Sequence, residues 1–275
     1  MTIRIFINKA LGKIEQKCCR PWLNIIATLY LNFRTLPIKQ AIKFPLYVYG
    51  RVKFYDLKGN IKINGPIDKG MIKLGRHDDV YSHPTKNIIM LTEGSNIIFN
   101  GHCSIANGFL LRVTDHGILK FGKLTKCGTD VRIICTKSID IGNYTAISYG
   151  CILMDSNCHY TINLNTYQVS RKEGQIILGS KNWIGNNCRI LKGAKTGTGC
   201  IISSNSMINH NYSEVTNCLL AGSPASIKLN NITRCFSYER ENEINDYFKQ
   251  HPTEKKMQFD ESYTDPLEDM IKFFK

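Results

Sequence analysis

The chain has 275 residues, 43% of them hydrophobic, and a formal net charge of +14, a length that suits one elongated repeat domain with terminal appendages. The basic excess sits at the front, where ten Lys or Arg between Met1 and Lys53 face Glu15 alone, yet the stretch carries no recognisable DNA- or RNA-binding motif, so nucleic acid is not an expected partner. Eleven cysteines are an odd number with no signal peptide before them, and Cys18, Cys19 and Cys158 lack zinc-ligand spacing; this argues against a disulfide framework or a metal and for a reducing, cytoplasmic setting.

Residues 1–45 read as a basic helical segment, with Ile3, Ile5, Phe6, Leu11 and Ile14 set among Arg4, Lys9, Lys13 and Lys17. The longest apolar run, 22–33, is interrupted by Asn24 and Asn32 and is too short to span a bilayer. Two readings stand for this segment: peripheral contact with an anionic membrane surface at the inner face of the cytoplasmic membrane, or a cap on the end of the domain that follows. Residues 47–74 alternate short β-type runs with Gly59, Gly65 and Gly70 and read as irregular opening coils, and 77–86 as a polar loop.

A six-residue rhythm then appears at Phe99, Ile105 and Leu111, and again at Phe121, Cys127, Ile133 and Ile139. A two-residue offset, expected to be a corner insertion, resets it at Ile141, Ile147 and Leu153. It is clearest at Leu178, Ile184, Ile190, Thr196, Ile202 and Ile208, with Gly179, Gly185 and Gly197 each following a register residue. Six residues match neither the helical nor the strand period, so the unit is a short strand plus a corner stacked into a parallel β-helix, with glycine where a Cβ would crowd the turn. Between Leu153 and Leu178 the rhythm stops; an interruption inside a regular solenoid marks a functional loop. After Lys228 the repeats end, 239–250 reads as a helix, and ten Asp or Glu against six Lys or Arg follow Cys235, giving an acidic tail.

The run Trp183-Ile184-Gly185-Asn186-Asn187-Cys188-Arg189-Ile190-Leu191-Lys192-Gly193-Ala194, closed by Ala221-Gly222-Ser223-Pro224-Ala225, resembles the end of a hexapeptide-repeat acyltransferase. The resemblance covers about residues 60–234 and implies an all-β, left-handed parallel β-helix, a homotrimer and an acyl-CoA donor. With it the chain divides into a basic helical segment (1–45), the β-helix acyltransferase domain (46–234, with the loop insertion at 155–175) and a C-terminal helix and tail (235–275).

Acyl transfer to a hydroxyl needs a base, because an alcohol is a poor nucleophile at neutral pH. The segment Met154-Asp155-Ser156-Asn157-Cys158-His159 is similar to one in polysaccharide-modifying members of the family whose His is the catalytic base, with Asn157 in place of a second acid and Tyr160 in place of a common Pro. The expected site is therefore His159 as base, with Asp155 or Asn157 holding the ring tautomer. Tyr160, Tyr167, Arg171 and Lys172 are the expected acceptor contacts. Cys158 is expected to be a packing residue, by strand alternation relative to its neighbour. His102 and His210 lack the compact spacing that would let them share a zinc with His159. The resemblance implies that acetyl-CoA lies along Trp183, Lys192, Gly193, Ser203, Ser204, Gly222, Ser223 and Pro224, with Lys228 on a phosphate. The leading expectation is an O-acetyltransferase of a bacterial surface glycan (capsule, lipopolysaccharide O-antigen or a sialylated chain). N-acylation of an amino-sugar nucleotide and a noncatalytic trimeric scaffold are the alternatives.

Overall fold

The computed structural model describes residues 22–76 and 86–258. Within them the chain winds as a left-handed parallel β-helix, sending successive short strands to sheets I, II and III in turn for seven circuits. Sheet I begins with Leu46–Val48, sheet II with Val52–Leu57 and sheet III with Asn60–Ile63. Pairing between coils is parallel until the last strand of sheet I, Ala225–Asn230, which turns back antiparallel on Cys218–Gly222. Residues 1–21, 77–85 and 259–275 lie outside the described residues, and with them half of the ten basic residues at the front, nearly all of the polar loop and the end of the acidic tail.

The interior is narrow, and the register residues fill it. Leu178, Ile184, Ile190, Thr196, Ile202 and Ile208 are all buried, and three six-residue steps bring Ile184 over Ile202 and Ile190 over Ile208. In earlier coils most strands are longer and send two side chains inward. Ile139 and Ile141 share the strand Ser138–Ile141, and Ile133 and Cys135 share Arg132–Cys135, all four buried. The two-residue offset expected at a corner is therefore strand alternation within a lengthened strand. The opening coil is also more regular than expected, joining all three sheets with one register shift between Phe54 and Asp56.

Where sheet III turns into sheet I, Gly122, Gly142, Gly179 and Gly197 stack in a column. A Cβ on Gly142 would collide with the backbone of Gly179, one on Gly179 with the Gly197 carbonyl, and one on Gly197 with the Val215 carbonyl. None of these four has a left-handed backbone, so glycine is required here by close approach between coils.

The first sheet I strand would be an open edge, and helix α1 (Ile25–Thr35) closes it. The buried Asn32 donates through Nδ2 to the Leu46 carbonyl at 2.8 Å and accepts from the Leu46 N–H at 3.2 Å, while Thr28 Oγ1 accepts from the Val48 N–H at 3.0 Å. A short helix α2 (Ile38–Ala41) follows. At the other end a crossing segment leads to α3 (Tyr238–Gln250), whose N-cap Ser237 accepts from the Arg240 N–H at 3.3 Å. Among the described residues no helix is long and apolar enough to cross a membrane.

If the glycine column sets how closely coils stack, Gly179→Ala lowers unfolding stability by about 1–3 kcal/mol, the usual cost of overpacking. Chemical denaturation of the two proteins measures this directly.

Candidate active site

The interruption of the repeats is a hairpin arm inserted at the corner from sheet II to sheet III in the fifth coil, between the strands Ile152–Met154 and Ile176–Leu178. Its root is zipped by the backbone: Gly174 N–H donates to the Asp155 carbonyl at 2.8 Å, Ser156 bridges Glu173, and Asn157 N–H donates to the Lys172 carbonyl at 2.9 Å. The arm pairs again at Thr161–Ile162 and Val169–Ser170, and at its tip Asn163 Oδ1 accepts from the N–H groups of Asn165 (2.9 Å) and Thr166 (3.2 Å). Side chains of the arm are exposed, Tyr167 at the tip by 81%.

Asp155 is wholly buried, one strand step beyond Leu153 and beside the inward row of Leu91, Val113 and Cys135. Its carboxylate accepts four hydrogen bonds at 2.8 Å, from Thr136 N–H and Oγ1, Lys137 N–H and Ser138 N–H. Three consecutive backbone donors at the corner of the preceding coil thus converge on one anion, a nest-like arrangement. Burial, and then the Asp155 carboxylate, push the Cys135 thiol pKa well up. Asp155 is thereby committed to the corner, and the chain forms no hydrogen bond from it to the imidazole expected four residues on.

His159 is exposed on the arm just beyond the root, and its ring makes no hydrogen bond among the described residues. The exposed Asn157 lies two residues before it. Cys158 has φ +64°, and its N–H donates to Ser156 Oγ at 3.1 Å; the backbone turns here, so strand alternation does not apply, and the thiol is exposed where a packing residue was expected. Lys172 Nζ lies 5.4 Å from the centroid of the Tyr160 ring and 3.5 Å from Glu173, which brings two of the expected acceptor contacts together. Lys192 and Gly193 stand under this arm, Lys192 Nζ donating to the Arg171 carbonyl at 2.9 Å. His102 is elsewhere, 3.2 Å from Asp68, and among the described residues no cluster of His, Cys, Asp or Glu could hold a metal.

A second concave feature lies against sheet I. A groove of about 930 Å³ has as its floor the outward row of Lys126, Ala146, Trp183 and Ile201, which are neighbours across the ladder, and as its roof the crossing segment 232–235. The Arg234 guanidinium lies 5.3 Å from the Trp183 ring centroid and 5.5 Å from that of Phe236, with Glu241 4.0 Å away. Trp183 was expected at a donor site; Lys126, Tyr149 and Arg234 were not, because the groove exists only once the crossing segment folds back over the sheet. Ser203 and Ser204 follow Ile201–Ile202 at the next corner, Ser204 Oγ accepting from Asn186 N–H at 3.2 Å, and Asn186 lines the groove. Gly222, Ser223 and Pro224 form the final hairpin turn, and Lys228 is exposed on the last strand. The expected donor residues thus divide between the sheet I side and the root of the arm. In a three-sided prism the corner between sheets II and III is opposite the face of sheet I.

No family model matches the chain. Its sequence is 25% identical over 141 residues, 48% of this chain and 70% of the relative, to WbbJ of Escherichia coli (strain K12), a protein named for O-acetyl transfer in lipopolysaccharide biosynthesis. In structure it is similar to the polysialic acid-specific acetyltransferase NeuO, with TM-score 0.51, 17% identity, and coverage of 80% of this chain and 91% of that one. A looser likeness, TM-score 0.40 with 18% identity, joins it to the polysialic acid O-acetyltransferase OatWY over 72% of this chain and 98% of that one.

The corner geometry separates scaffold from chemistry. Asp155→Asn replaces one acceptor oxygen by an amide that faces backbone donors, and it lowers stability by about 2–4 kcal/mol. His159→Ala, at an exposed position, leaves the melting temperature within a degree or two; calorimetry on both variants checks the contrast. The chain has the left-handed β-helix fold of the hexapeptide-repeat acyltransferases.

Proposed function

We propose that the protein is an acetyl-CoA-dependent O-acetyltransferase acting on a bacterial surface glycan, with His159 as general base. The observation that carries this reading is the placement of His159. A long stretch of otherwise continuous coils is opened at one corner, and the opening presents an imidazole on an exposed arm whose root is fastened by Asp155 and by backbone pairing.

The imidazole takes the proton of an acceptor hydroxyl as its oxygen attacks the thioester carbonyl. A backbone N–H at a neighbouring corner stabilises the tetrahedral oxyanion. Collapse breaks the carbon–sulfur bond, and the imidazolium returns the proton to the departing thiolate, so no acyl-enzyme forms. With Asp155 occupied at the corner, Asn157 is the nearby side chain that can orient the ring through its amide oxygen. Tyr160 and Lys172 provide a ring face and a cation, a pairing suited to an acidic sugar. Tyr167 and Arg171 extend this surface along the arm.

The sheet I groove is the proposed donor site, with Trp183 on its floor and Arg234 as a phosphate partner. Ser203, Ser204, the Gly222-Ser223-Pro224 turn and Lys228 lie outside its lining and are proposed to extend the donor contacts beyond it. This groove and His159 are on opposite sides of one chain's prism, so the reading requires an oligomer in which the arm of one subunit reaches the groove of the next. A homotrimer fits a three-sided prism. Lys192, engaged with the Arg171 carbonyl, then acts by steadying the arm.

Incubation with acetyl-CoA and a panel of acidic and neutral glycans and amino-sugar nucleotides is expected to give a 42 Da gain on a glycan, about the mass of one acetyl group replacing a hydrogen. His159→Ala lowers the rate by about 10²–10⁴; a loss below tenfold removes the base role, and a gain confined to amino-sugar nucleotides turns the reading to N-acylation. Trp183→Ala raises KM for acetyl-CoA with kcat little changed. At acetyl-CoA concentrations far below the raised KM, where Trp183→Ala is slow, mixed oligomers of His159→Ala and Trp183→Ala recover activity above that of either variant, because hybrid interfaces then contain one intact arm facing one intact groove.

A further inference from the structure

Helix α1 has two faces, one mixed and one apolar. Ala27, Thr28, Leu31, Asn32 and Thr35 point inward and close the edge of sheet I. On the other side Ile25, Ile26, Leu29, Tyr30 and Phe33 share one helical face, with Trp22 just before the helix, and all are exposed, Ile26 by 82%, although Tyr30 and Phe33 also touch the rings of Phe54 and Phe44. Ile38 and Ile42 continue the patch onto and past α2. A solenoid cap ordinarily presents a polar outer face, which is what keeps the end soluble. This cap is sealed on one side and apolar on the other.

Charge indicates what covers it. Between Trp22 and Tyr55 there are five basic residues and no acidic one, and Arg34, Lys39 and Lys43 are exposed beside the apolar face. An apolar helix face bearing Trp, Tyr and Phe, rimmed by cations, matches the boundary between anionic headgroups and acyl chains. A soluble protein partner would be expected to bring its own acidic complement, whereas a membrane supplies apolar depth and negative charge together.

We infer that the N-terminal end of the β-helix docks on an anionic membrane surface through the outer face of α1. The β-helix axis then stands away from the lipid. The hairpin arm, four coil steps along, is held about 19 Å beyond the first coil at the usual spacing between strands, with the thickness of α1 added between that coil and the lipid. The inference rests on the cap alone and stands whether or not the chain transfers acetyl groups.

Flotation of the full chain with phosphatidylethanolamine vesicles containing phosphatidylglycerol, against phosphatidylcholine vesicles, tests it, with melting temperature and light-scattering mass recorded for each protein. The expected result is binding to anionic vesicles that weakens in high salt. Ile25→Glu with Ile26→Glu, the two most exposed positions of the helix face, is expected to weaken it at least tenfold without lowering the melting temperature. Lys39→Glu with Lys43→Glu is expected to cost about fivefold or more per residue, from the usual attraction of a basic residue to an anionic surface. No binding by the wild type, or binding indifferent to both pairs of substitutions, overturns the inference. If the apolar pair leaves flotation unchanged but lowers the melting temperature, the face is covered by the chain itself; if it lowers the oligomeric mass instead, a second copy covers it.

Discussion

Everything in this molecule depends on the narrowness of the space enclosed by its three sheets. Each strand can send only one or two side chains inward, and each backbone ladder is completed only by the coil above and below. Aliphatic rows therefore run the length of the prism, and small residues occupy the corners. Cys127 sits in such a row, where burial raises its thiol pKa to about 12, so it serves as an inert apolar filler. The glycine column from Gly122 to Gly197 is the same constraint seen from the corner, with backbone lying on backbone where any side chain would wedge the coils apart.

A scaffold so constrained leaves chemistry few places to reside, namely the corners and ends where a row is broken. Asp155 shows how a break is stabilised. A carboxylate stands just beyond an aliphatic row, and three backbone N–H groups and a hydroxyl of the previous coil satisfy it, so the corner stays rigid as the chain leaves for the arm. The arm itself is locally well paired, with its side chains exposed. At the N-terminal end, α1 satisfies the first sheet I strand through Asn32 and Thr28 and leaves its opposite face apolar.

The repeat was legible in the sequence because one inward side chain per short strand imposes its period directly, and a stop in that period exposed the inserted arm. Other features were less visible for identifiable reasons. The offset at Ile139 and Ile141 read as a corner because the six-residue template hides the two-residue alternation of a longer strand. The same alternation, carried one step past Leu153, would have placed Asp155 inward and away from the imidazole. Cys158 was misjudged because strand geometry was assumed across a turn with left-handed backbone. Lys126, Tyr149 and Arg234 had no local signal, since their groove is made by a segment that folds back from far along the chain.

In the proposed reaction an acetyl group passes directly from a thioester to a glycan hydroxyl under the action of His159. A single-turnover reaction with isotopically labelled acetyl-CoA, followed by intact-mass analysis of protein and glycan at successive times, tests it most directly. Direct transfer puts label on the glycan as free CoA is released, with the protein mass unchanged throughout. Label accumulating on the protein before the glycan, at the exposed Cys158 for example, or CoA release with no labelled glycan, would contradict it.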